Sequence, residues 1–151
     1  MVVSSEQTID AVLVAKRYDI LEAFVQRVRR AELAKPTVSA ADIARPIAAC
    51  LTWMSRTLAG LHTDPMECAR LAYEYADDRR RIGYELPAVL TELGLIRAAV
   101  VDVAADAGIH DPREVDRATA LFHRILVDAV TRMTTKSSGA TLRMAALRRS
   151  R

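Results

Sequence analysis

The sequence predicts an all-α fold, an antiparallel bundle of about five helices with a globin-like arrangement as one variant. Three observations point there. Gly and Pro number only five each in 151 residues, too few to punctuate a set of strands. Ala and Leu are abundant and aromatic residues make up only 5%, a composition that favours helices over sheet. Apolar residues instead recur at helical spacing in long stretches, each bounded by start and stop chemistry.

The first stretch runs from about Ser5 to Ala31, carrying Ile9, Val12, Leu13, Ile20, Leu21, Phe24, Val25 and Val28. Its middle is less regular, which places a candidate break near Tyr18, and Pro36 lies in the following connection. The second helix starts at Ser39, an N-cap residue with Asp42 at the capping-box position. Ile43, Ile47, Leu51, Met54, Leu58 and Leu61 form its stripe, and Gly60 is its stop. Pro46 sits inside this stripe, where Pro costs about 3 kcal/mol, so either a separate turn or a kink is expected.

Asp64, Pro65 and Glu67 give the third start signal: cap, first helical position and an acid suited to the N-terminal dipole. Cys68, Leu71, Ala72, Tyr75 and Ile82 mark its inner face, and Gly83 ends it. The fourth helix opens near Glu85 with Pro87 in its first turn. Its stripe is Leu86, Val89, Leu90, Leu93, Ile96, Val100, Val103 and Ala104, closed by Gly108. Asp111, Pro112 and Glu114 repeat the start signal, and the fifth stripe runs from Val115 to Met133.

Charge divides the chain into a helical body, residues 1–135, and a basic tail, residues 136–151, expected to be flexible. The tail holds five bases and no acid, leaving the body with seventeen bases against nineteen acids, a net charge of −2. The isoelectric point of 9.1 therefore belongs to the appendage. Nucleic-acid binding is expected only as weak, non-specific attraction to the tail. The longest uncharged stretch, Pro46–Ser55, is shorter than a membrane span, and the N-terminus lacks the basic flank of a signal peptide. A cytoplasmic protein without membrane partners follows as the expectation.

Catalytic chemistry has no foothold in the pattern, and no enzyme is expected. The five glycines form no phosphate loop, and no nucleophile elbow is present. Cys50 and Cys68 read as small apolar residues, and Asp77-Asp78 as a solvated face. His62 and His110 fall in loops. His123 lies mid-helix beside Phe122 and is the candidate haem ligand should the bundle enclose one, which makes a globin-like binder of haem or an apolar ligand the alternative function. No metal site and no dedicated cofactor is expected.

One segment concentrates unusual residues. Arg79 precedes Gly83 by one turn, where its cation is placed to meet the helix's last carbonyls. Gly83 permits a left-handed cap, Tyr84 packs the corner, and Glu92 and Arg97 project from the next helix. This pattern resembles the N-terminal helical sensor domain of RsbRD-type RsbT co-antagonists, proteins of the stressosome. Similar modules precede some bacterial histidine kinases. In that family a His is followed four residues on by Arg, four further by Gly and then an aromatic, with Glu and, five residues later, Arg on the next helix. Arg79, Gly83, Tyr84, Glu92 and Arg97 match, and Phe24–Val28 resembles the family's first-helix segment. Tyr75 stands where the family has His, so any sensing by that His is not available here. The resemblance covers about Tyr18–Met133. It implies a signalling or regulatory domain for stress response, with a protein partner and ligand- or partner-dependent helix packing.

A homodimer is also expected, because Val100, Val101 and Val103 face more than one direction of their helix.

Overall fold

The computed structural model describes residues 7–149, with side chains through residue 134. It is a bundle of six helices: α1 (Ile9–Ala15), α2 (Arg17–Arg30), α3 (Ala40–Leu58), α4 (Glu67–Arg81), α5 (Leu86–Asp106) and α6 (Pro112–Arg149). No strand occurs among the described residues. The count is six rather than five because the first amphipathic stretch divides at Lys16, two residues before the expected point. Both pieces pack against α3, and only the second also meets α5. Ile9, Val12 and Leu13 of α1 are buried, and the Ser55 hydroxyl of α3 donates to the Asp10 carbonyl at 3.2 Å. Ile20, Phe24 and Val28 of α2 are buried where α2 meets α5 and α3.

The local signals act largely as their chemistry requires. Ser39 caps α3, its hydroxyl accepting from the Asp42 N–H at 3.1 Å. Asp64 accepts from the Met66 N–H at 2.9 Å, but Asp64–Met66 form a turn, and the helix proper begins only at Glu67. At the end of α4, Gly83 adopts φ +88°. The Tyr84 N–H reaches the Arg79 carbonyl and the Gly83 N–H reaches that of Arg80, a Schellman closure. The end of α2 has the same two bonds, but Glu32 occupies the left-handed position at φ +55°.

The inner faces differ from the expected stripes in two places. Leu61 lies past the end of α3 and is exposed. On α5 the buried row is Val89, Glu92, Ile96, Ala99, Val100, Val103 and Ala104, and Leu90 is 53% exposed. The face is turned toward the one carboxylate in the middle of the helix. The final helix continues unbroken through Ser137-Ser138-Gly139 to Arg149, where the sequence suggested a separate tail. The side chains of Leu142, Met144, Leu147 and the tail bases lie outside the described residues. Among the described residues no helix is long and apolar enough to cross a membrane.

Candidate functional site

Tyr75, Arg79 and Asp78 lie on the last turns of α4, with Tyr75 and Arg79 one turn apart on one face. The Schellman closure at Gly83 folds the chain back, so Tyr84 returns alongside Arg79. Glu92 enters from the second turn of α5. All five side chains are buried, and Arg79 and Glu92 are fully so.

The Arg79 guanidinium uses its whole donor fork. Nε donates to Glu92 Oε1 at 2.8 Å and Nη2 to Oε2 at 2.9 Å, a bidentate pair. Nη1 donates to Asp78 Oδ2 at 3.1 Å, and Asp78 Oδ1 accepts from Arg81 at 2.9 Å. The Tyr75 hydroxyl donates to Glu92 Oε1. The Tyr75 and Tyr84 rings each lie 5.2 Å from the Arg79 Cζ, so the cation sits between two aromatic faces. Tyr75 also packs edge-on against Phe122 of α6, centroids 6.0 Å apart.

The remaining Arg79 contacts account for Pro46. Proline has no N–H, so the Asp42 carbonyl one turn earlier lacks its intrahelical donor. Arg79 Nη1 reaches that carbonyl at 3.5 Å, and Nη2 donates to the neighbouring Ile43 carbonyl at 2.8 Å. Helix α3 therefore runs through Pro46 without a separate turn, and a cation from α4 serves the Asp42 carbonyl the proline leaves open together with its Ile43 neighbour. The expectation that Arg79 meets the last carbonyls of its own helix is corrected here. Its guanidinium instead serves α3 and α5.

Burial shapes the ionisation of the group. It pushes the Tyr75 hydroxyl well above the ordinary tyrosine range, reinforced by the Glu92 charge. Tyr84 is raised for the same two reasons, and its buried hydroxyl has no hydrogen-bond partner among the described residues. Burial also raises the Glu92 carboxyl, against the downward pull of Arg79. It opposes the charge on Arg79, yet Tyr75 and Glu92 hold that guanidinium above its ordinary value. Such a pair cannot reach a substrate without helix movement. Its chemistry is positional: it fixes the relative placement of α3, α4 and α5.

No protein family, curated protein or solved structure matches the chain.

Of the residues singled out in the sequence, Tyr75, Arg79, Gly83, Tyr84 and Glu92 converge, and Arg97 does not. Arg97 is exposed on α5 and pairs with Asp116 of α6 at 2.7 Å. Asp78 was the residue missed: it is buried and paired rather than solvated. Its only sequence signal was adjacency to Arg79. His123 is exposed on α6 and borders an open groove, so it faces no enclosed slot of the kind a haem ligand requires. His62 and His110 are exposed. No cluster of three metal-ligating side chains occurs among the described residues. Cys50 is buried and its thiol pushed up to about 12 by burial, and Cys68 is half-buried.

Proposed function

We propose that the chain is a non-enzymatic signalling or regulatory domain, similar to the helical sensor modules of stressosome proteins and histidine kinases. The observation that carries this reading is the convergence of Tyr75, Arg79, Gly83, Tyr84 and Glu92 at the junction of three helices. A buried ion pair is a poor source of net stability, because desolvation offsets the attraction, but it penalises any misplacement of its partners. A ligand or protein that shifts α3 or α5 by one or two ångströms would exchange these bonds as a unit. Helix α6, about 57 Å long against about 32 Å for α5, offers a rod to carry that shift outward. The working unit in this reading is a cytoplasmic homodimer in a stress-response pathway.

The test is titration of the purified chain against STAS-domain and switch-kinase proteins of the stressosome type. Saturable binding is expected, changed at least tenfold by Glu92→Gln in protein that keeps its helical circular dichroism. A folded wild-type chain that binds neither class overturns the reading.

A further inference from the structure

Arg97, the one motif residue left outside the buried cluster, belongs to a surface with its own regularity. Along α5 the exposed residues Leu90, Gly94, Arg97 and Val101 are spaced four, three and four apart. Along α6 the exposed residues Asp116, Ala120, His123 and Val127 repeat the same spacing. Each row is a heptad seam, the pattern by which one helix presents a continuous stripe to another. The two rows flank a single open groove of about 410 Å³, bordered by Leu90, Gly94, Arg97, Asp116, Ala120 and His123. Leu90 and Val127 are 53% and 51% exposed, although each falls on a seam position.

We infer that this α5–α6 face packs against the same face of a second copy of the chain, around a two-fold axis running along the helices. The charges select that occupant. The Arg97–Asp116 pair shows that these two residues stand level on neighbouring helices of opposite direction. A two-fold axis parallel to the helices lays α5 of one copy over α6 of the other and preserves level. Arg97 then meets Asp116 of the second copy, and Asp116 meets Arg97, giving a ring of four alternating charges. Seven residues from that level, Leu90 meets His123 of the second copy. The small residues Gly94 and Ala120 lie between the two contacts and allow close approach of the helices. The patch is thus complementary to itself in charge and shape, the condition for an isologous dimer.

This names the surface of the homodimer proposed above and is independent of any signalling partner. A Cβ added at Gly94 meets nothing within 4 Å, so Gly94→Arg fits the isolated chain, and arginine is the better helix former. Light scattering at about 50 µM, far above the Kd of a stable dimer, is expected to give twice the 16.7 kDa chain mass for the wild type. Gly94→Arg is expected to give the single-chain mass with unchanged helicity. Arg97→Asp alone should weaken the dimer at least tenfold, and Arg97→Asp with Asp116→Arg should restore it, because the swap rebuilds the ring. A wild-type monomer overturns both the dimer and its surface. A dimer that Gly94→Arg leaves intact overturns the surface alone.

Discussion

Arg79 and Arg97 are eighteen positions apart, and each pairs with a carboxylate on a neighbouring helix. The Arg79 and Glu92 side chains are fully buried, whereas those of Arg97 and Asp116 are 53% and 51% exposed. The first pair has surrendered its water, so every donor must find a protein acceptor, and the guanidinium spends its fork on one carboxylate, a second carboxylate and two carbonyls. In the single chain the second pair keeps its water, and the fold requires no further partner for it. Two similar ion pairs therefore do different work: one fixes three helices, and the other marks a surface.

The comparison is broken most directly at Arg79. Arg79→Met leaves Glu92 buried without its cation and is expected to cost about 3–5 kcal/mol, lowering the melting temperature by roughly 10 °C in a chain of this size. Replacing both partners, Arg79→Met with Glu92→Met, should recover most of that loss. A double variant as unstable as the single one would show that the cluster acts through shape rather than charge.

The corner that aims Arg79 comes next. Gly83→Val places a β-branched residue at φ +88°, with an expected cost of about 1–3 kcal/mol by thermal or urea unfolding. The same closure at Glu32 gives a control outside the buried region. There Glu32→Gly relieves left-handed strain and should stabilise by up to about 1 kcal/mol, with no change in the Arg79 cluster. Loss of stability in Glu32→Gly would show that the carboxylate has a role beyond the turn.

Arg97→Ala should change the stability of the single chain by less than about 1 kcal/mol, the range of an exposed pair. A larger loss, measured in the monomeric Gly94→Arg background, would erase the contrast between the two arginines. The smallest effect is chemical. A thiol reagent at neutral pH should label half-buried Cys68 before Cys50, which burial both shields and holds in the thiol form. Equal rates would mean that the core around α3 opens readily.

Much of the scaffold was legible because its signals are local. Ser39 capping, the turn at Asp64 and the left-handed Gly83 each act over two to five residues, within reach of reading along the chain. Five of the six residues singled out around the corner do come together for the same reason, since one turn separates Tyr75 from Arg79 and one closure returns Tyr84. Apolar spacing was a weaker guide on α5. Leu90 fits the helical period as well as its neighbours do, yet it faces outward while Glu92 faces in.

The sequence by itself determined the fold class, the capping at Ser39, and the corner between α4 and α5. Those depend on backbone hydrogen bonds that side chains complete within a turn. Only the tertiary structure decided the rest. Pro46 reads along the chain as a break, but a guanidinium 33 positions later serves the Asp42 carbonyl it leaves open and the Ile43 carbonyl beside it. Asp78 reads along the chain as a solvated acid and Glu92 as a motif residue projecting from the next helix, and the cation they enclose permits their burial. Lys16 divides one amphipathic stretch whose two halves both pack on α3, while only the second also packs on α5. Except for Asp78, which lies beside Arg79 in sequence, each of these outcomes depends on a partner in another helix, and a polar group can be buried only once its partner is in place.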